Sequence, residues 1–177
     1  MLDFESLIQQ HWTRVCGVLY RLVGDWAEAE DLALDVFWRL YQRPPRSERA
    51  SPNSGRYAQA VGGWLYRVAT NLGFNALRAR KRRQRYEEEA GSLVRSDDPA
   101  WDPTEEIERV QEREQVRAVL AKMKSRSAQL LVLRQSGLSY AEIAQSLGLA
   151  ATSIGTLLAR AELEFEQHYR VLEDGPE

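Results

Sequence analysis

The sequence has little cysteine: one residue, Cys16, in 177, so no disulfide can form within the chain. A short chain of this kind suits a reducing compartment and folds on apolar burial alone. Cys16 sits between Val15 and Val18 in an apolar helical pattern, which marks it as a small buried hydrophobe rather than a redox centre. Long apolar runs are missing too, and none approaches the roughly 18 to 20 residues of a membrane helix. Met1 to Gln10 carries Asp3 and Glu5 and no basic residue, unlike a secretory signal with its positive start and apolar run. These absences predict a cytoplasmic protein with no membrane insertion. Histidine is scarce as well. His11 and His168 stand at opposite ends, with no cysteine or carboxylate cluster at metal-ligand spacing. There is no glycine-rich phosphate loop. The expectation is a protein that is not an enzyme, with no catalytic residues, no metal and no cofactor.

The small net charge, −2, hides an asymmetry. Residues 1–90 carry 14 Lys/Arg and 11 Asp/Glu, residues 91–103 carry 1 and 3, and residues 104–177 carry 9 and 12. Within the first part, residues 61–86 hold seven basic residues and no acidic one. A nucleic-acid footprint is judged by such a local field rather than by the total.

Hydrophobic spacing divides the chain into helices, and no β-type alternation of useful length occurs. Leu7, Ile8, Val15, Val18, Leu19 and Leu22 recur at helical intervals over 4–22. After Val23-Gly24-Asp25, a second helix is predicted from Trp26 to Tyr41, with Asp25 as its cap. Arg43 to Gly55 holds three prolines and three serines and reads as a loop. A third helix begins near Ala58 or Gly63 and ends in the basic run Arg78 to Arg85, with Glu87 to Glu89 as a possible extension. Gly91 to Pro103 changes composition and is the predicted linker. Beyond it, helices are expected from Thr104 to about Leu120, from Ser125 or Ser127 to Gln135, from Ser139 to Leu147, and from about Ala151 to Tyr169. The fold class expected is all-alpha: two small helical domains, residues 1–90 and 104–177, joined by residues 91–103.

Residues 137–161 carry a helix-turn-helix pattern, for which an ordinary helical hairpin is the alternative. Ser139 and Glu142 are spaced for a capping box, Gly148 supplies a sharp turn, and Leu149 and Ile154 clamp the second helix on the first. The start of that second helix can enter a major groove. There Thr152, Ser153 and Thr156 offer hydrogen bonds to bases or phosphates, and Arg160 can pair with a phosphate. Glu162, Glu164 and Glu166 would repel a DNA backbone or simply face solvent. In the first domain, Arg67, Asn71, Asn75 and Arg78 recur at intervals of three and four, which places them near one helix face. Arg80, Lys81, Arg82 and Arg83 extend the basic end toward phosphates. Trp64 or Tyr66 can stack beside an unpaired base, although Trp64 equally suits a core position.

These segments resemble the extracytoplasmic-function (ECF) sigma factors, the smallest members of the sigma-70 family, over nearly the whole chain. The resemblance lies in Ala29-Glu30-Asp31-Leu32 with Asp35-Val36-Phe37, in Trp64 to Leu72 with the basic tail Arg78 to Arg85, and in Gly137 to Ala144 with Gly148, Leu149, Ser153, Ile154, Arg160 and Ala161. It implies a non-catalytic, bacterial, DNA-binding transcription regulator that directs core RNA polymerase to specific promoters and initiates transcription. The first domain would grip the β′ clamp helices through Glu30, Asp31, Leu34, Asp35 and Trp38. Its basic helix would hold the −10 element and the melted strand. The second domain would read the −35 element, with Ser139 and Tyr140 at the DNA as well, and touch the β flap. An anti-sigma factor is a further partner the resemblance admits. Departures are Leu34, where the family usually has glutamine, and Gly155, Leu157 and Glu162, where its reading helix usually has basic residues. They motivate an alternative: a diverged sigma-like interaction protein whose C-terminal domain binds a regulatory protein instead of −35 DNA.

Overall fold

A computed structural model describes residues 4–45, 55–90 and 103–173. Helix α1 (Phe4–Val23) turns through Gly24 into α2 (Trp26–Gln42), and the long α3 (Gly55–Glu89) follows. The C-terminal half holds α4 (Pro103–Lys122), α5 (Ser125–Gln135) and α6 (Tyr140–Leu147), then a 3-10 turn (Ala151–Ser153) leading directly into α7 (Ile154–Glu173). Most of the expected helices appear within a residue or two of their predicted bounds. The third starts well before Gly63, and Glu87 to Glu89 do prolong it, giving a rod of 35 residues, roughly 50 Å long. Most of the predicted loop, residues 46–54, and the predicted linker short of Pro103, residues 91–102, lie outside the described residues.

Each turn has a local cause. The Asp25 carboxylate accepts from the Glu28 backbone N–H at 2.7 Å and starts α2. Gly24 turns the chain with φ +78°, and its missing Cβ leaves room for the Arg117 guanidinium, which would stand 2.5 Å from one. The last carbonyls of α1 need donor partners. Arg117 of α4 donates Nε to the Arg21 carbonyl at 3.2 Å, and Arg80 of α3 donates Nη1 to that of Val23 at 2.8 Å.

The first three helices pack around Val15, Val18, Leu19, Leu22, Ala33, Val36, Leu65 and Ala69, all fully buried. The second group centres on Val119, Leu133, Leu138, Ile143 and Ile154, which are equally closed to solvent. The buried apolar residues of the two halves belong to one connected cluster, because α4, α5 and α6 lie against α3. Cys16 is buried within it, and its thiol is pushed up to about 11, first by burial and then by the charge of Glu30. That leaves an inert thiol rather than a reactive thiolate.

Candidate nucleic-acid interface

The basic helix sorts its own side chains by periodicity. Arg67, Asn71, Asn75 and Arg82 are exposed along one side of α3, and Arg78 is half-buried beside them. Arg80 falls on nearly the opposite side and, though exposed, reaches back to cap α1. The Arg78 guanidinium sits 5.7 Å over the Phe74 ring and donates Nη2 to the Ser125 hydroxyl at 2.8 Å. Lys81 stands 4.0 Å from the Glu114 carboxylate of α4. Arg82 and Arg83 are exposed at the end of the helix. Trp64 is half-buried against the core, whereas Tyr66 is 1% exposed and meets His11 Nδ1 at 3.0 Å through its hydroxyl. Tyr66 therefore cannot stack on a base, which corrects the expectation for that ring.

The helix-turn-helix pattern takes its predicted geometry. The Ser139 hydroxyl accepts from the Glu142 backbone N–H at 3.3 Å, and Glu142 Oε2 accepts from the Ser139 backbone N–H at 2.8 Å, closing the capping box. Gly148 ends α6 in the left-handed region at φ +66°. Thr152, Ser153, Thr156 and Arg160 are exposed at the 3-10 turn and the start of α7. Tyr140 is exposed too, with the Arg134 guanidinium 5.3 Å above its ring. Glu164, expected to repel DNA or face solvent, is turned into the domain. Its carboxylate accepts from the Lys124 backbone N–H at 2.8 Å and from the Ser127 hydroxyl at 2.7 Å. Burial raises its carboxyl, but these two bonds and the Lys124 and His168 charges outweigh that and lower it.

The surface of α2 is apolar in an unusual place. Leu34, Trp38 and Tyr41 are each more than half exposed, and the last two stack with ring centroids 5.7 Å apart. Asp31 lies on the same side, Glu30 accepts from the Trp26 indole at 3.0 Å, and Asp35 pairs with Arg39 at 2.9 Å. A rigid aromatic pair rimmed by carboxylates, on a helix whose other face is core, is a surface shaped for a protein partner.

Contacts that no sequence signal announced join the two halves. Arg14 of α1 pairs with Glu142 of α6 at 3.0 Å, and Gln129 of α5 donates Nε2 to Asn71 Oδ1 at 2.8 Å. His11 lies behind this seam, and its Nε2 has no hydrogen-bond partner. Burial first, then the Arg14 charge, hold its imidazole below the ordinary value, against the opposing pull of Glu142. These contacts link positions 58 to 128 residues apart, a separation across which helical spacing says nothing.

Comparison with known proteins agrees with this geometry. The family model for sigma-70 region 2 matches residues 7–83, and that for sigma-70 region 4 matches residues 113–164. The chain is 27% identical to the RNA polymerase sigma factor YlaC of Bacillus subtilis over 94% of its own length and 91% of that protein's. It is 31% identical to the ECF RNA polymerase sigma factor SigE of Mycolicibacterium smegmatis over 90% of its own length, and the match spans 58% of that longer protein. Its fold resembles that of the sigma factor RpoE solved in complex with the anti-sigma factor NepR from Bartonella quintana (TM-score 0.52, 18% identity, 97% of this chain and 99% of that one). With a region 2 match on the basic helix and a region 4 match on the helix-turn-helix, the chain belongs to the sigma-70 family, in its ECF branch.

Proposed function

We propose that this chain is the promoter-specificity subunit of a bacterial RNA polymerase: it binds core polymerase, brings it to particular promoters and initiates transcription without a catalytic step of its own. The observation that carries this reading is the pairing of an exposed basic and amide face on α3 with a capped helix-turn-helix, each inside its family match. In this reading residues 1–90 and 104–177 are the two working domains and 91–103 their tether. The α2 surface of Asp31, Leu34 and Trp38, with Glu30 and Asp35 at its edge, docks on the β′ clamp helices, while the C-terminal domain meets the β flap. Arg67, Asn71, Asn75 and Arg78 hold the opened −10 strand, and Arg82 and Arg83 add phosphate contacts. Thr152, Ser153, Thr156 and Arg160 face −35 DNA, with Tyr140 beside them. Ser139 serves that surface chiefly by fixing the start of α6. The site of action is the cytoplasm, and an anti-sigma factor is a natural regulator. Among the described residues no helix is long and apolar enough to cross a membrane.

The alternative, a sigma-like chain whose C-terminal domain binds a regulatory protein, draws on Leu163 and Val171, both exposed on α7. It loses the argument from Glu164, whose carboxylate is engaged by Lys124 and Ser127 of its own domain. Run-off transcription with purified core polymerase on fragmented genomic DNA separates the two. Discrete new transcripts support the promoter reading; retention of the chain by core polymerase without any transcript supports the alternative.

A further inference from the structure

One concave surface lies away from the α2, α3 and reading-turn residues assigned to polymerase and DNA. Helices α1, α4, α5 and α7 enclose a cavity of about 680 Å³, within the roughly 300–1,000 Å³ usual for small-molecule sites. Its floor is apolar: Val116 and Leu120 of α4, Leu131 and Val132 of α5, and Phe165 of α7. Leu120 and Val132 are buried, whereas Val116, Leu131 and Phe165 are half-buried and present apolar surface to the cavity. The charge around it is mostly of one sign. Arg21, Arg113, Arg117 and Arg134 line it against Glu112 and Glu162, four guanidiniums to two carboxylates. Arg117, only 7% exposed, is engaged within the chain: Nε donates to the Arg21 carbonyl at 3.2 Å and Nη1 to Glu114 Oε1 at 2.9 Å. That anchor fixes α4 on α1 and brings Arg113, one turn before Arg117, to the same mouth as Arg21. Arg113 is exposed, and Arg21 donates to a neutral acceptor, the Gly17 carbonyl, at 3.2 Å.

We propose that this cavity is a binding site for an amphipathic organic anion: a carboxylate or sulfonate head held by Arg21 and Arg113, with an apolar body laid on Val116, Leu131 and Phe165. The lining disfavours the other simple ligands. A cation would meet an excess of guanidiniums, and a neutral apolar molecule would leave them without an acceptor. A small inorganic anion would leave the apolar floor in water. An amphipathic anion satisfies both parts. Its head makes charge-assisted hydrogen bonds, the stronger kind, and its body removes apolar surface from water. Walls from four helices form a concave site suited to a small molecule rather than to an extended partner surface. The inference is independent of the promoter reading, since no lining residue is assigned there to DNA or polymerase.

The test uses the full chain and probes that share one tail: decanoate, decyltrimethylammonium and decanol. Each competes with anilinonaphthalene sulfonate, an aromatic anion whose fluorescence rises in an apolar site. The expected result is saturable dye binding with Kd below about 1 mM, and displacement by decanoate but not by decyltrimethylammonium. Decanol should bind at least about tenfold more weakly than decanoate, for want of a charged head. Decanoate should also raise the melting temperature, as a ligand of the folded state does. Arg113→Glu, at an exposed position, is expected to weaken decanoate binding by about tenfold or more. Arg126→Glu makes the same charge change at an exposed residue outside the cavity and should leave binding within about twofold of wild type. Val116→Trp fills the floor and should remove dye and decanoate binding together. Circular dichroism checks that each chain is folded, and Arg113→Glu decides the matter if Val116→Trp does not fold. Decanoate that fails to displace the dye overturns the proposal. So does equal displacement by decyltrimethylammonium, an equal loss in Arg113→Glu and Arg126→Glu, or a folded Val116→Trp that binds as wild type does.

Discussion

Arg80 donates its guanidinium Nη1 to the Val23 carbonyl at 2.8 Å, so one arginine of the basic run closes the end of α1. Arg82 and Arg83 are exposed like Arg80 but lie away from the end of α1. Arg80→Ala is therefore expected to cost about 1 kcal/mol, the net value of one hydrogen bond, and to lower the melting temperature by about 2–4 °C. Arg82→Ala with Arg83→Ala leaves the melting temperature in place. Instead it reduces the slope of log affinity against log salt for a single-stranded probe by about 0.7 per charge removed. Thermal melts and a salt titration on the same chains check both halves of the prediction.

Ser139 and Glu142 cap each other at the start of the helix-turn-helix. Ser139→Ala loses about 1 kcal/mol, seen as an earlier thermal transition. Thr156→Ala, at an exposed position on α7, shifts the melt little and weakens binding to −35 duplex once the promoter is known. If Ser139→Ala proves neutral in the melt, the cap is not what holds α6.

The seam around His11 makes stability fall on the acid side of neutrality. Facing its imidazole are Arg14 on its own helix, Tyr66 on α3 and Glu142 on α6. Its folded value lies below the unfolded one, near 6.5, so the unfolded chain binds the extra proton first. The stabilisation is whole above about pH 6.5 and is lost as pH falls toward and through the lower folded value. Glu142, also held below its ordinary value, contributes at lower pH: its stabilisation is present above the usual carboxylate value, 4.5, and is lost as pH falls through the folded one. Denaturant midpoints from pH 8 to 5 should therefore decline below about 6.5 in the wild type, and His11→Gln should flatten that decline.

Leu34 and Trp38 are exposed at 58% and 57% on a helix whose opposite face is core. Leu34→Asp or Trp38→Ala is expected to change stability by no more than about 0.5 kcal/mol. Either should weaken core-polymerase binding by about tenfold or more, as removal of a central anchor does. Titration against labelled core polymerase, beside a melt, reads the two effects separately. An unchanged affinity would place the polymerase contact elsewhere.

Local order was legible in the residues. Asp25, Gly24, Ser139, Glu142 and Gly148 announced where helices begin and turn, because caps and left-handed turns depend on a few neighbouring side chains. The 3.6-residue repeat likewise separated the core faces of α1, α2 and α3 from their polar faces, and the family motifs marked the two elements proposed to face DNA. The same repeat carried a sign that Arg80 leaves the stripe of Arg67, Asn71, Asn75 and Arg78, although a run of basic residues reads at first as one surface. The packing of one half against the other had no such signature. Gln129 on Asn71, Ser125 on Arg78, Gln145 on Gly63 and Arg117 under Gly24 join distant segments through ordinary residues. Sequence alone thus determined the helices, their faces and the family, since these follow from short-range periodicity and motif. Only the tertiary structure decided which basic and amide groups are exposed and which are engaged, because that depends on which helices meet.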